Sequence, residues 1–499
     1  MPTSYDQILY RGLPYNQTHP DRLATIAALF GMRPAPIDRC RVLEIGCGDG
    51  WNLIPMAFSL PGSRFVGFDL AETPILRSRE AAREIGLQNL ELQAADIMQV
   101  GAELGEFDYI VAHGVYSWVP EPVRDRVLAI MHRHLAPQGV AYVSYNALPG
   151  CQIRQMLRDM MLYHLRDLTE PASRLEEAVR FLRLLLEAPD NKDNSGPALV
   201  KDEVRGILDR SPEVVFHDEL SEHYYPLYFS DFMKHASKHG LQYLSEANIF
   251  DLEPGRVGNE TRDRLETYSR GQRLELEQYM DFLKCRKFRQ TLLCHEGVEI
   301  GDAPGPERVR ELYASSPATP VNAEPDLTGD RAEEFRGQKG AAMKTAHPLA
   351  KCAIGLLTRR WPETIHFDDL LANCAELIGA QDADPQSLSE ILLATYRAGL
   401  VELHSAPAAC VSNSHEFPAT TSLARWQARH GNTITTLRHT TIEANGEIER
   451  KLLDLLDGTR NRDSLVAELA HLSDKPPAEL REDLETNLER LARFGLLTQ

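Results

Sequence analysis

Short apolar runs alternate with helical patterns along the first 150 residues of the chain. Five nearly continuous apolar runs predict strands: CRVLEIGCG (40–48), SRFVGFDL (63–70), LELQAADI (90–97), FDYIVAHGV (107–115) and GVAYVSYNA (139–147). Between them, NLIPMAFSL, TPILRSREAAREIG and VRDRVLAIMHRHLAP place apolar residues at helical spacing. This alternation predicts a doubly wound α/β sheet, mainly parallel and buried on both faces. Such a sheet binds its ligand at the carboxyl ends of the strands.

The alternation stops after Tyr145, and residues 151–225 have a helical pattern throughout. A helix, a glycine and a strand then follow in SDFMKHASKHGLQYLSEANI (230–249), and FRQTLLCHE (288–296) predicts one more strand. We therefore expect a core domain of residues 41–150 and 226–296, interrupted by a helical insertion. The N-terminal residues 1–40 contain a helical pattern after Tyr15, which predicts either a packing helix or a lid over the ligand.

The remainder of the chain predicts accessory units. Residues 297–344 are rich in Pro, Gly and Ala and are expected to form a linker or middle region. Two similar segments follow, in 345–405 and in 406–499, and each ends in a helix, a glycine and a short strand. We interpret them as an imperfect duplication of a winged-helix-like unit.

Composition narrows the range of partners. The chain has 499 residues, of which 43% are hydrophobic and 25% charged, and its formal net charge is −19. That length predicts about three domains. Both winged-helix-like units are acidic, with 4 Lys and Arg against 8 Asp and Glu in residues 345–405. A phosphate-binding face needs a basic surplus, so we expect protein contacts and no nucleic acid.

The spacing of the cysteines and the hydropathy of the chain indicate whether to expect a metal site or a membrane location. The eight cysteines include no C-x-x-C pair, so no metal site is predicted. The sequence shows neither a signal-peptide pattern nor an apolar run of membrane-spanning length, so we expect a cytoplasmic protein without membrane insertion.

The glycine-rich turn after the first strand points to the ligand. Its glycines are Gly46, Gly48 and Gly50, whereas a dinucleotide fingerprint would place the third glycine one residue later. No Lys-Ser/Thr pair follows, which excludes a P-loop. Glu44, two residues before the first glycine, would repel a pyrophosphate and suits a cationic ligand.

This E-x-G-x-G-x-G spacing resembles the first motif of class I S-adenosylmethionine-dependent methyltransferases. The resemblance extends to acidic residues at the ends of the next two strands, Asp69 and Asp96, and to His113-Gly114 after the fourth strand. It implies a seven-stranded Rossmann-like core that uses S-adenosyl-L-methionine and releases S-adenosyl-L-homocysteine. The implied cofactor contacts are Tyr15, Gln17, Thr18, Glu44, Gly46, Cys47, Gly48, Asn52, Asp69, Leu70, Asp96, Ile97, His113 and Gly114. Each acidic residue taken alone has another interpretation. Glu44 could cap a turn, Asp69 could contact the ribose of NAD, and Asp96 could be a helix N-cap.

A narrower resemblance covers most of residues 1–296. YNQTHPDRLATIAALFGM, HGVYSWVP, SYNALPG and HASKHGLQYLSEA are similar to methyltransferases that carry a methyltransferase regulatory region, among them the rickettsial protein lysine methyltransferases acting on outer-membrane protein B. The resemblance implies a protein lysine as methyl acceptor and favours a homodimer through residues 151–225.

Aromatic and amide residues near the ends of strands four and five are candidates for the acceptor site. Aromatic rings attract an amine or its cation, and an amide side chain can orient the amine through a hydrogen bond. We therefore expect Tyr116, Trp118 and Asn146 to orient the acceptor. Tyr145, Tyr224 and Tyr225 are expected to contact the substrate. Core packing is the alternative for each of these aromatic residues.

Two other functions fit the same sequence. The enzyme could methylate a small-molecule amine, hydroxyl or carboxylate, or the chain could be a non-catalytic scaffold that binds S-adenosylmethionine. The intact motifs argue against the scaffold, and about 200 residues beyond the core argue for a macromolecular acceptor.

Overall fold

A seven-stranded sheet forms the centre of the N-terminal domain in the computed structural model of the chain. The structure describes residues 8, 10, 12–189, 196–249, 258–337 and 340–498. The strands are β1 (Arg41–Ile45), β2 (Arg64–Asp69), β3 (Leu90–Ala94), β4 (Phe107–Ala112), β5 (Leu135–Asn146), β6 (Leu241–Glu246) and β7 (Phe288–His295). Their order is β3-β2-β1-β4-β5-β7-β6, with β1 to β5 parallel and β7 antiparallel to both of its neighbours. The predicted doubly wound class I methyltransferase sheet is confirmed.

Helices cover both faces of this sheet because its strands are apolar on both sides. The covering helices are α1 (Pro20–Leu29), α2 (Leu53–Ser59), α3 (Glu72–Ile85) and α4 (Glu121–His134). Successive side chains of β1 point to opposite faces of the sheet. Val42 packs with α1, α2 and α3 on one face, whereas Leu43 packs with α4 on the other. Because β1, β2 and β4 are parallel, their carboxyl ends lie at one edge of the sheet, between two helical layers.

The described part of the helical insertion, residues 151–189 and 196–225, contains four helices with a small core of their own. They are α5 (Gln152–His164), α6 (Pro171–Glu187), α7 (Gly196–Leu208) and α8 (Pro212–Glu219). The buried side chains of this core include Leu157, Met161, Leu182 and Ile207. After the insertion, α9 (Phe229–Lys238), α10 (Asn259–Ser269) and α11 (Arg273–Lys284) alternate with β6 and β7 to complete the sheet domain.

The region expected as a linker, residues 297–344, contains short strands that belong to the unit after it. These are β8 (Tyr313–Ser315), β9 (Thr319–Pro320), β10 (Glu333–Arg336) and β11 (Ala342–Thr345). The unit continues with α12 (Pro348–Arg360), β12 (Ile365–His366), α13 (Phe367–Ile378), α14 (Pro385–Ala398) and β13 (Glu402–His404). Strand β8 pairs with both β12 and β13, and Val309, Ala314 and Phe335 enter the core of this unit.

The second C-terminal unit repeats this arrangement in a reduced form. Its elements are α15 (Ser422–His430), β14 (Thr433–Thr435), β15 (Thr441–Glu443), α16 (Glu447–Leu455), α17 (Arg462–Leu469) and α18 (Pro477–Arg493). Isolated bridges join Ala419 to Asp457 and Thr420 to Leu497, as β8 joins β12 and β13. Gly399 and Gly495 follow the last helix of each unit with φ of +81° and +71°.

Both C-terminal units contact the sheet domain. In the first unit, the Tyr396 hydroxyl lies 3.1 Å from Arg22 of α1. In the second, the Trp426 indole donates to Glu84 of α3 at 2.8 Å. Across the described part of the chain, none of the helices combines the length and the apolar character needed to cross a membrane.

Candidate functional site

The glycine-rich turn after β1 needs glycine for its backbone conformation. Gly46, Gly48 and Gly50 have φ of +68°, +55° and +71°, a region that side-chain-bearing residues rarely adopt. A Cβ on Gly46 would lie 2.5 Å from the Val115 side chain. The turn therefore brings bare backbone to the edge of the sheet, where a ligand can approach it closely.

A cavity of about 510 Å³ lies at this edge, between the strand ends and the insertion. Its first part, which we call the glycine-turn half, includes twelve of the predicted cofactor contacts and one further acidic residue. These twelve are Tyr15, Glu44, Gly46, Cys47, Gly48, Asn52, Asp69, Leu70, Asp96, Ile97, His113 and Gly114, and Asp49 is the further acidic residue. Its second part, which we call the Trp118 half, is lined by Tyr10, Trp118, Asp218 and His223.

Two carboxylates in the glycine-turn half differ in how completely their oxygens are hydrogen-bonded. Asp69 accepts hydrogen bonds from the backbone N–H of Gly48 at 2.8 Å and of Ala71 at 2.9 Å. Glu44 accepts from the Asn52 amide through Oε1 at 2.8 Å, whereas its buried Oε2 has no hydrogen-bond partner among the described residues. Burial, reinforced by Asp49 and Asp69, raises the pKa of Glu44 to about 8. A buried, unpaired carboxylate oxygen is suited to a cationic ligand.

Asn52 connects this half to the N-terminal segment and to the C-terminal unit. Its side-chain oxygen accepts from the Tyr15 backbone N–H at 2.9 Å and lies 3.0 Å from Nε2 of His439. Its amide nitrogen donates to the Thr18 hydroxyl at 2.9 Å. Thr18 therefore acts on the cavity through Asn52, and Gln17, on the same short 3-10 helix, does not line the cavity.

Aromatic side chains close the floor of the cavity after β4. The His113 ring lies 4.0 Å from the Tyr15 ring, and its Nδ1 is 2.9 Å from the Tyr142 hydroxyl. Burial lowers the pKa of His113 to about 4, so this ring is neutral at physiological pH. Asp96 caps the 3-10 turn that follows it, by accepting from Met98, and also lines the cavity.

The Trp118 half combines rings and charges from distant segments. The guanidinium carbons of Arg154 and Arg158 lie 5.5 and 5.9 Å from the centroid of the Trp118 ring. Arg154 forms ion pairs with Asp218 at 3.2 Å and with Glu219 at 2.6 Å. The indole face, two guanidinium groups and the Asp218 carboxylate therefore lie close together at one wall.

The expected roles of Tyr116 and Tyr145 require correction. Their side chains are 0% and 1% exposed and face the core: Tyr145 stacks on Phe232 of α9, and the Tyr116 hydroxyl lies 2.5 Å from His235. Ser144, one residue before Tyr145, accepts a hydrogen bond from Gly114 beside the cavity. Because side chains alternate along a strand, Tyr145 faces the opposite side of the sheet.

The other three predicted acceptor residues surround the Trp118 turn without lining the cavity. Asn146 is buried, its backbone N–H donates to the Ser117 hydroxyl, and its side-chain nitrogen has no hydrogen-bond partner in the described part of the chain. The Tyr224 ring packs 5.1 Å from the Trp118 ring. Tyr225 is exposed, and its backbone N–H donates to Ser117.

Four polar lining residues were not predicted from the sequence: three have no motif around them, and one lies inside the glycine turn. Tyr10 belongs to the N-terminal segment, Asp49 lies inside the glycine turn, and Asp218 and His223 lie at the end of the insertion. The only local signal is the polar run HDELSEH, which interrupts the apolar helical pattern of the insertion. Nothing in that run indicates that it returns to the ends of β1 and β4.

Three family descriptions match parts of the chain. Residues 42–139 match a methyltransferase domain, residues 211–295 match a predicted methyltransferase regulatory domain, and residues 416–495 match the C-terminal winged-helix domain of PKMT. These ranges contain the glycine turn, the end of the insertion with β6 and β7, and the second C-terminal unit.

Two relatives from Rickettsia prowazekii align with nearly the whole chain and with about half of it. The uncharacterized protein RP789 of Rickettsia prowazekii is 28% identical over 98% of this chain and 91% of its own length. RP028 of the same organism is 33% identical over 48% of this chain and 96% of its own length.

Solved structures extend the similarity to the fold. PKMT2 from Rickettsia typhi superposes with a TM-score of 0.87 at 27% identity, over 98% of this chain and 100% of its own, and has also been solved in complex with AdoHcy. The chain is an enzyme whose cofactor is S-adenosylmethionine. It belongs to the class I S-adenosylmethionine-dependent methyltransferases that carry a methyltransferase regulatory domain.

Proposed function

We propose that this methyltransferase N-methylates the side-chain amine of a lysine in a protein substrate. The observation that carries the proposal is the Trp118 half of the cavity. There, an indole and the Asp218 carboxylate lie beside the glycine-turn half. An aromatic face and a carboxylate both attract an alkylammonium ion. The similarity to PKMT2, a protein lysine methyltransferase, supports the same acceptor.

The glycine-turn half is proposed to hold the cofactor. Glu44 would accept a hydrogen bond from the cationic amino group of the cofactor, because its Oε2 is buried and has no other partner among the described residues. Asp69 would accept from the ribose hydroxyls, and Asp96 with Ile97 would contact the adenine, as the family resemblance implies. The further proposed contacts are Tyr15, Gly46, Cys47, Gly48, Asn52, Leu70, His113 and Gly114. The neutral ring of His113 adds no charge against the cationic cofactor.

The Trp118 half is proposed to orient the acceptor amine. When bound, S-adenosylmethionine supplies an electrophilic methyl group, and the displacement needs a neutral amine whose lone pair faces that carbon. The Trp118 face would hold the lysine side chain in line, and Asp218 and His223 would contact its polar end. A contact between a cation and an aromatic face contributes about 0.5–2 kcal/mol.

The charges near Trp118 favour loss of the lysine proton. A free lysine ammonium has a pKa of about 10.4, and neighbouring cations and burial lower that value. Arg154 and Arg158 supply the neighbouring cations, in part balanced by Asp218 and Glu219. About a quarter of the Asp218 side chain is exposed, so a proton released at this wall can pass to water.

Transfer of labelled methyl groups from S-adenosylmethionine to a cell lysate tests this proposal. After separation of proteins from small molecules, we expect acid-stable label in the protein fraction. Trp118→Ala should reduce the rate about 10- to 100-fold, while Trp118→Phe keeps an aromatic face and should lose less. Tyr163→Ala, at a side chain that is 71% exposed on the insertion, is the matched control and should behave as the wild type. Label confined to small molecules would contradict the proposal.

A further inference from the structure

Two helices that flank the sheet bring two histidines and a carboxylate together on the surface. His235 lies on α9, and His239 is the first residue after the end of this helix. The two histidines are four residues apart, so both rings lie on one face of the helix. Asp125 lies on α4, opposite them. Its Oδ1 is 3.2 Å from Nε2 of His235 and 2.9 Å from Nε2 of His239.

We propose that Asp125, His235 and His239 bind a divalent transition-metal ion, with Zn²⁺ as the best fit. One atom from each residue lies within 4.8 Å of the other two. Zinc holds nitrogen and oxygen ligands at about 2.0–2.2 Å in tetrahedral geometry, which puts two ligands about 3.3 Å apart. The two measured separations are close to that value, so small side-chain adjustments would admit the ion.

The donor set favours zinc over the alkaline-earth ions. Two imidazoles and one carboxylate suit Zn²⁺, whereas Mg²⁺ and Ca²⁺ prefer oxygen ligands throughout. The Asp125 side chain is 59% exposed and the histidines are 20% and 17% exposed, so an ion can enter from solvent, with water as its fourth ligand.

A buried hydroxyl holds the second nitrogen of His235. Nδ1 of His235 lies 2.5 Å from the Tyr116 hydroxyl. With Nε2 bound to an ion, the imidazole would carry its proton on Nδ1 and donate it to the Tyr116 oxygen. Such outer-shell partners fix the tautomer and the orientation of metal-binding histidines. Tyr116 therefore has a place in this cluster, although it has none in the cavity wall.

The position of the cluster gives the ion a structural role. It would join α4 to α9, and through His235 it would hold Tyr116, which begins the short turn that carries Trp118. Cysteine spacing, from which no metal site was predicted, carries no signal for this cluster of histidines and a carboxylate. The HASKH segment contains two ligands, and the third lies more than 100 residues earlier in the chain.

Zinc titration of the tag-free, full-length protein after chelator treatment tests the proposal. We expect one ion per chain with a Kd of about 10 µM or tighter, and a melting temperature that rises by about 2 °C or more at a large excess of zinc over Kd. Ca²⁺ and Mg²⁺ should not compete. Co²⁺ should give a visible absorption band that zinc removes.

Variants locate the ion. His239→Ala and Asp125→Asn should each weaken binding by about 100-fold or more, and neither touches Tyr116. His164→Ala is the matched control, because His164 lies 3.0 Å from Glu177 in an exposed pair that lacks a third ligand among the described residues. Failure of the wild type to bind, or unchanged affinity in His239→Ala, would overturn the proposal. These readouts do not depend on the methyl acceptor.

Discussion

The two halves of the cavity are built in different ways. The glycine-turn half consists of strand ends and one tight turn, and internal hydrogen bonds hold its Asp69 and Asn52 side chains in place. The Trp118 half joins a turn after β4, the N-terminal segment and the end of the insertion. The sheet therefore fixes the proposed cofactor side, while the proposed acceptor side also depends on segments outside the sheet.

Asp69→Ala addresses the glycine-turn half and should have the largest effect. Loss of the proposed charge-assisted hydrogen bonds to the ribose should weaken S-adenosylmethionine binding by about 1–3 kcal/mol, or roughly 5- to 150-fold. Calorimetry measures this directly. Asp38→Asn, at an exposed acidic residue outside the cavity, should leave the affinity unchanged. An Asp69→Ala protein with wild-type affinity would contradict the assignment of the ribose site.

The pH dependence of cofactor binding tests Glu44. Its pKa of about 8 means that it is mostly protonated at pH 6 and must ionise to pair with the cofactor amino group. Affinity should therefore rise about tenfold per pH unit from pH 6 towards 8 and fall above pH 8, as an α-amino group of pKa about 7.7–8.0 loses its proton. Glu44→Gln should remove the rise below pH 8. An identical rise in that variant would assign it to another group.

Asp218→Asn addresses the Trp118 half. Removal of the carboxylate should raise KM for the protein acceptor about 5- to 10-fold, because a charged attraction for the lysine is lost. The affinity for S-adenosylmethionine should not change, which separates this half from the other. Glu213→Gln, at an exposed residue on the same helix, is the control. A loss of cofactor affinity in Asp218→Asn would mean that the two halves are not separable.

His439 tests whether the second C-terminal unit supports the glycine turn. Its Nε2 contacts Asn52, and its φ of +55° disfavours most side chains. His439→Ala should weaken cofactor binding about two- to fivefold. His439→Asn should recover most of this, because Asn tolerates positive φ and retains a donor. Equal affinity in all three proteins would show that the contact supports only the packing of the unit.

The sequence brings out most of the residues that line the glycine-turn half, because they lie at strand ends within one local pattern. Glu44, Asp69 and Asp96 each end or follow an apolar run, and parallel strands bring those ends to one edge. Position at a strand end was not sufficient for Tyr145, because the alternation of side chains along β5 turns it to the opposite face of the sheet.

The Trp118 half could be predicted only in part. Trp118 lies just after β4, so its position near the end of a parallel strand could be predicted in the same way. Asp218 and His223 reach the cavity through the packing of the insertion, about 100 residues further along the chain, and His439 reaches it through a separate unit. Tertiary packing of this kind leaves no periodic signal in a single sequence.

The identity of the methylated atom tests the central claim most directly. Labelled proteins from the transfer reaction would be hydrolysed to amino acids and the label identified by chromatography and mass spectrometry. We predict ε-N-methyllysine in the wild-type reaction and its loss with Trp118→Ala, in a protein that still binds S-adenosylmethionine. Label on another residue type, or methyllysine formed at an equal rate by Trp118→Ala, would contradict the proposed acceptor site.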